Sequence, residues 1–146
     1  MGQGGHWPSH AYIPGKTPRH AEDAFDHLRA TATAAHDAGQ LSKSDAFLVG
    51  LSYLRNGYYW EAHELFEPVW MALPDPSRER ALVQGLIQIA NGFLKLKMDR
   101  PKAASRLEAI ARSHVANAGT GQVMGVAHQD VSEMLASLKA LADDAL

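Results

Sequence analysis

Apolar residues recur every three or four positions in six segments of the chain, which is the spacing of helices that bury one face. Nowhere does an alternating apolar and polar pattern last long enough to predict a strand. The pattern therefore predicts an all-α fold, a compact bundle of about five to six helices. The predicted helices cover about residues 20–36, 44–56, 58–73, 76–98, 101–119 and the segment from 130 onward.

Capping residues mark where several of these helices begin. Ser44 precedes the second helix, and Asp75 precedes the fourth, with Pro76 at its first position. Asp130 and Glu133 have capping-box spacing at the start of the sixth helix, although Asp replaces the usual Ser or Thr. The sequence therefore predicts side-chain caps at these three starts.

The third helix contains a proline, Pro68, which has no backbone N–H and leaves the carbonyl of Glu64 without its helical partner. We therefore expect a kink there. The apolar stripes of this helix and of the last two predict which side chains face the core. They are Ala62, Leu65, Phe66, Val69, Leu73, Leu107, Ile110, Ala111, Val131, Met134, Leu135, Leu138 and Leu141.

The N-terminal segment differs in composition from the rest of the chain. Four glycines and Pro8, Pro14 and Pro18 lie within the first 19 residues, which disfavours a regular helix. A chain of 146 residues is long enough for one substantial core but too short for two. We therefore divide it into an extended arm, residues 1–19, and a single helical-bundle domain, residues 20–146.

Charge and composition exclude several functions. The formal net charge is −2 and the basic residues are scattered, so we expect no nucleic-acid partner. There is no cysteine, and the sequence starts without the basic and apolar pattern of a secretory signal. The most apolar stretch, residues 81–96, is interrupted by amides and is too short to span a bilayer. We therefore expect a bacterial protein of the cytoplasm, with no membrane partner.

Two polar lines on neighbouring helices form the candidate site. On a wheel at about 100° per residue, six side chains of the third helix fall within roughly 120°, opposite the core stripe. A face open to solvent rarely carries two tryptophans. If this face meets the polar line of the fourth helix, the two enclose a preformed polar pocket. The two sets are Trp60, His63, Glu64, Glu67, Trp70 and Met71, and Gln84, Gln88, Asn91 and Lys95.

Two motifs make the sequence similar to a known family. The run YWEAHELFEPVW at Tyr59–Trp70, followed by QGLIQ at Gln84–Gln88, resembles the bacterial family called domain of unknown function 309. Tyr12–His20 also resembles that family's N-terminal segment, so the resemblance reaches to about Leu107. It implies a compact helical bundle and no activity. The matching motif residues are Glu61, His63, Glu64, Glu67, Trp70, Gln84 and Gly85.

Three hypotheses for function stay open. The first is a binding domain whose pocket holds a small polar ligand or a peptide terminus. The second is a metal-dependent hydrolase in which His63 and Glu67 bind a divalent metal, Glu64 is the base and His20 is the third ligand. The third is a protein-interaction bundle, whose partner is another protein or, through the last helix, a second copy of the chain. In this hypothesis the cluster is only a structural network paired with Lys95 and the amides.

Overall fold

The computed structural model describes residues 7–146, and helices make up nearly all the regular structure of that part of the chain, which confirms the all-α prediction. None of these helices has the length and hydropathy required to cross a lipid bilayer. The elements, in chain order, are α1 Asp26–Thr33, α2 Ala38–Leu41, α3 Asp45–Arg55, α4 Tyr59–Ala72, α5 Arg78–Lys97, α6 Pro101–Ala118, β1 Gln122–Val123, β2 Val126–Ala127 and α7 His128–Ala145.

The predicted start of the fourth helix, which is α5, is wrong by two residues. Ser77 has an extended backbone, and its hydroxyl accepts the N–H of Arg80 at 3.0 Å. This serine therefore caps α5, and the helix begins at Arg78. Asp75 and Pro76 lie in the bend before it. The two competing start signals stand side by side in the sequence, and the one nearer to the helix is used.

The predicted capping box of the last helix is also wrong. α7 follows β2 directly, and its N-cap residue, Ala127, has no side chain that could accept a hydrogen bond. Asp130 lies inside the first turn, where a negative charge is favoured by the helix dipole. The carboxylate of Glu133 instead accepts a long hydrogen bond of 3.4 Å from the side chain of Gln129.

The first predicted helix is divided into two shorter ones. α1 ends at Thr33, and a separate α2 begins after Asp37, whose carboxylate accepts the N–H of Gln40 at 2.8 Å. Gly39 lies inside α2. Asp37 supplies a cap within the predicted segment, and a capped helix start interrupts a continuous helix.

The predicted loop between α6 and α7 contains a two-stranded antiparallel ribbon, in which Val123 pairs with Val126. The two residues at its turn, Met124 and Gly125, both have positive φ, at 55° and 75°. Positive φ at both central residues matches the twist of the flanking strands in a tight hairpin. The ribbon was missed because its strands are only two residues long.

The core stripes of α4 and α7 are largely as predicted. Two side chains that were predicted to face the core, one on α6 and one on α7, are exposed instead. Ile110 is 45% exposed and Leu141 is 49% exposed. α6 turns a different face to α5, one built mainly from small residues, which lets the two helices approach closely and moves Ile110 outward. The buried residues of α6 are Ala104, Glu108, Ala111, Val115 and Ala118.

Gly85 explains how closely α5 and α6 pack. The sequence suggests that the third helix or the arm approaches this glycine, but the neighbour is α6. A Cβ at this position would lie 2.8 Å from Cγ2 of Val115 and 3.5 Å from the carbonyl oxygen of Ala111. The absence of a side chain therefore sets the distance between the two helices.

We expect Gly85→Ala to lower the free energy of unfolding by about 1–3 kcal/mol, measured by urea denaturation. Ala is favoured over Gly in a helix by roughly 1 kcal/mol. The energetic cost of the clash with Val115 exceeds this gain, because a β-branched side chain has few other rotamers and cannot easily move away. In a Val115→Ala background the same change should be neutral or stabilising. Equal stability of Gly85→Ala and the wild type would contradict this account.

Candidate functional site

The polar and aromatic side chains of α4 contact two different neighbours. Glu61 and Glu64 bond to the arm and to α1 on one side of the helix, whereas Trp70 contacts Arg80 of α5 on the other. Within residues 7–146, no hydrogen bond or ion pair joins the polar face of α4 to Gln84, Gln88, Asn91 or Lys95. The two polar lines therefore do not enclose one pocket between them.

Arg29 of α1 supplies the bond that Pro68 removes from α4. One terminal nitrogen of its guanidinium donates to the backbone carbonyl of Glu64, the acceptor four residues before the proline. The guanidinium also lies 3.5 Å from the carboxylate of Glu64 and 3.9 Å from that of Glu67. The hypothesis of a structural network predicted Lys95 as the cation that pairs with these carboxylates. That prediction was wrong, because they pair with Arg29. α4 runs unbroken from Tyr59 to Ala72.

His63 lies between the same two carboxylates. Its Nε2 is 3.4 Å from Glu67 Oε2, and its Nδ1 is 3.9 Å from Glu64 Oε1. Nδ1 is buried, and none of the described residues hydrogen-bonds to it. Because Arg29 already binds both carboxylates, we interpret this part of the predicted face chiefly as an ion-pair cluster that attaches α4 to α1.

Glu61 forms the most buried polar contact of the site. Its side chain is fully buried, and Oε2 accepts two hydrogen bonds: 2.7 Å from the backbone N–H of Tyr12 and 2.6 Å from Nε2 of His20. Oε1 is buried and has no hydrogen-bond partner in the described part of the chain. His20 therefore lies against α4, but it contacts Glu61 and not His63 or Glu67, with which it was predicted to bind a metal.

Aromatic rings enclose the imidazole of His20 and hold it in place. Phe25 stands edge-on to it at 5.2 Å between centroids, Trp60 lies at 6.1 Å and His10 at 4.6 Å. His10 is itself fixed, because its Nε2 bonds the carbonyl of Pro18 at 2.7 Å. With its ring packed and one nitrogen bound to Glu61, His20 has a single orientation.

A cleft lies between the arm, α1 and α4, and we call it the arm cleft. It has a volume of about 270 Å³ and holds charges of both signs. Trp60 and Glu64 from the predicted site contribute to its wall, and His20 is part of it. Its lining residues are Arg19, His20, Ala21, Glu22, Phe25, Asp26, Arg29, Trp60 and Glu64.

A second cleft, which we call the α5 cleft, lies on the opposite side of α4, where α5 begins and α6 ends. Its volume is about 690 Å³. Trp70 and Gln84 are the two predicted site residues that it brings together, whereas Gln88, Asn91 and Lys95 lie outside both clefts. Its lining residues are Trp70, Asp75, Pro76, Ser77, Arg78, Arg80, Ala81, Gln84, His114 and Asn117.

The donors for the predicted metal site are not assembled. His63 and Glu67 are neighbours, but the proposed third ligand, His20, is bound to Glu61. Across residues 7–146, no three His, Asp or Glu side chains are grouped as a metal ion requires. The hydrolase hypothesis therefore lacks the ligand set on which it depends.

The sequence does not predict a role for Arg29, and it identifies Glu61 only through the family motif. Glu61 belongs to the motif but lies outside the polar arc on the helical wheel, at the edge of the core stripe. A carboxylate at such a position requires partners from elsewhere in the chain, which was the available signal. The signal for Arg29 was the carbonyl of Glu64 that Pro68 leaves unpaired, but nothing in the sequence identifies which donor reaches it.

Tyr53 of α3 is affected by the buried carboxylate. Burial, followed by the negative charge of Glu61 and the neighbouring Tyr58, raises the pKa of Tyr53 to about 12. Tyr53 is 1% exposed, and its ring lies 6.2 Å from Phe25 and 5.7 Å from Tyr58. The pKa shift therefore reports on the same aromatic cluster that encloses His20.

We expect Arg29→Ala to lower the free energy of unfolding by about 1–3 kcal/mol, because the part-buried carbonyl of Glu64 loses its side-chain donor and the carboxylates of Glu64 and Glu67 lose their arginine partner. In a Pro68→Ala background, residue 68 has an N–H for the Glu64 carbonyl, so the loss should be smaller by about 1 kcal/mol. Urea denaturation of the four proteins gives this double-mutant cycle. An identical loss in both backgrounds would show that Arg29 does not replace the missing bond.

The raised pKa of Tyr53 predicts a loss of stability at high pH. A group whose pKa is higher in the folded state stabilises the fold below its unfolded pKa, and this contribution disappears between pH 10 and 12. The loss is roughly 2–3 kcal/mol, and Tyr53→Phe should reduce it. Glu61→Gln should lower the Tyr53 pKa, measured by ultraviolet absorbance of tyrosinate. An unchanged Tyr53 pKa in that variant would show that the charge of Glu61 does not raise it.

Residues 47–107 match the model of one family, and the matched range includes both motifs and ends at Leu107, as predicted. No curated protein and no solved structure is significantly similar to the chain. The match starts after the arm, so the resemblance of Tyr12–His20 stays a prediction. Over residues 47–107, which are less than half of the chain, the protein is similar to the family named Domain of unknown function (DUF309).

Proposed function

We propose that this protein binds a small polar molecule, carrying charges of both signs, in the arm cleft, and that His20 hydrogen-bonds this molecule. The observation that carries the proposal is the 2.6 Å contact between His20 and the fully buried carboxylate of Glu61. A carboxylate accepts hydrogen bonds, so the ring nitrogen that faces it, Nε2, carries the hydrogen. In the neutral ring, Nδ1 is then an acceptor.

The position of His20 supports its role as the hydrogen-bonding residue. The ring lines the arm cleft, and its Nδ1 makes no hydrogen bond with the described part of the chain. The packed rings of Phe25 and Trp60 limit its rotation, so little side-chain entropy is lost on binding. A fixed acceptor in a cleft is typical of a site that orients a small molecule.

The charges around the cleft favour a zwitterionic ligand. Arg19 forms no ion pair with a described residue and stacks over Tyr12 at 5.6 Å, which leaves its donors for a ligand carboxylate. Glu22 and Asp26 form no ion pair with described residues either, and they suit an ammonium group. The volume of about 270 Å³ equals that of roughly nine water molecules, which fits an amino acid or a peptide terminus.

The test is a thermal unfolding screen with the amino acids and a set of dipeptides as probes. A molecule that binds the native state raises Tm, by about 3 °C for each kcal/mol of stabilisation in a domain of this size. We expect at least one probe to raise Tm in a saturable manner. Calorimetric titration of that probe should then give an affinity at least about tenfold weaker for His20→Gln and Arg19→Ala.

The matched control is His36→Gln, which changes an exposed histidine outside the cleft and should bind as the wild type does. Unfolding in the absence of probe shows whether each variant keeps its fold. The proposal fails if no probe raises Tm at millimolar concentration. It also fails if His20→Gln is folded and binds as tightly as the wild type.

A further inference from the structure

Arg80 in the α5 cleft is fixed in orientation but poorly paired. Its guanidinium carbon lies 4.3 Å from the centre of the Trp70 ring. A contact with the face of an aromatic ring occupies none of the N–H donors of a guanidinium. The side chain of Arg80 forms no hydrogen bond with the described residues and lines the cleft, so its donors remain for a ligand there.

Asp75 is the partner that Arg80 has among the described residues, and the contact is weak. The two charged groups are 3.6 Å apart, beyond hydrogen-bond distance, and the side chain of Asp75 is 74% exposed. Exposed pairs of this kind contribute between 0 and about 1 kcal/mol. An incoming anion can therefore replace Asp75 at little cost.

The other arginine of the cleft has a different role. Arg78 donates to the carbonyl of Ala118 at 2.7 Å and to that of Thr120 at 2.8 Å, so it fixes the end of α6 against the start of α5. Two of its N–H donors are used in these bonds, and its positive charge remains. With two arginines and one aspartate, the lining has an excess of positive charge.

We propose that the α5 cleft is a second binding site, separate from the arm cleft, for an oxyanion group, either phosphate or carboxylate, carried by a small organic molecule. The planar fork of Arg80 matches two oxygens of such a group. Gln84, His114 and Asn117 line the rest of the cleft and supply neutral donors and acceptors. The volume of about 690 Å³ exceeds that of a bare anion, which leaves room for the molecule that carries it.

The test is a nuclear magnetic resonance titration that follows the indole N–H of Trp70 and the side-chain Nε–H of Arg80. The probes are inorganic phosphate and acetate, each added at constant ionic strength with chloride as the compensating anion. We expect both signals to shift and to saturate with at least one probe. The probe that saturates identifies the group as phosphate or carboxylate.

Two variants and two controls make the result specific to Arg80. Arg80→Lys keeps the charge but loses the planar fork, so binding should weaken by about tenfold. Asp75→Asn removes the competing carboxylate, so binding should become about threefold tighter. Arg106→Lys, at an exposed arginine of α6 outside the cleft, and His20→Gln, in the arm cleft, should both bind as the wild type does.

Shifts that grow linearly without saturation for both probes overturn the proposal. Equal affinity of Arg80→Lys and the wild type overturns it as well, as does weaker binding by Asp75→Asn. The result does not depend on the arm cleft, because the reporter groups and probes belong to the α5 cleft alone. Failure of one proposal therefore leaves the other standing.

Discussion

A fully buried carboxylate holds the arm of this protein against its helices. A buried charge costs several kcal/mol unless it is paired, and Glu61 meets that requirement by taking hydrogen bonds from the backbone of Tyr12 and the ring of His20. Residues 7–20 contain bends and turns without helix or strand. Their position therefore depends on contacts with the helices and the segments between them, which include the ion pair between Lys16 and Asp99 and the ring contact between Trp7 and Tyr53. The arm cleft exists because the arm is fixed there.

The same side of α4 receives the guanidinium of Arg29, so two polar attachments hold this helix to the N-terminal part of the chain. Glu61 binds the arm, and the carbonyl of Glu64 binds α1. Arg29 brings one positive charge to the carboxylates of Glu64 and Glu67 on this side of α4. The cluster therefore connects α4 to α1, and the two clefts lie beside it.

The fold was predictable because the long helices carry clear periodic stripes. Errors occurred where two local signals competed, as Asp75 and Ser77 did at the start of α5, or where an element was very short. The site was only partly predictable. The family motif and the helical wheel identify α4 as the helix that carries the candidate site. The rotation of α4 about its axis relative to its neighbours, however, is set by packing. The side-chain partner of Glu61, His20, lies 41 residues earlier in the chain. Periodicity within one helix contains no information about either.

Pro68 has a consequence for relatives of this chain. A family member with any other residue at that position has a backbone N–H for the preceding carbonyl, so nothing there requires a guanidinium from α1. The positions of Arg29 and Pro68 should then vary together among homologues, although they are far apart in sequence and only one of them lies inside the matched family segment. The helix that carries the family motif is, in this protein, completed by a side chain from outside that segment.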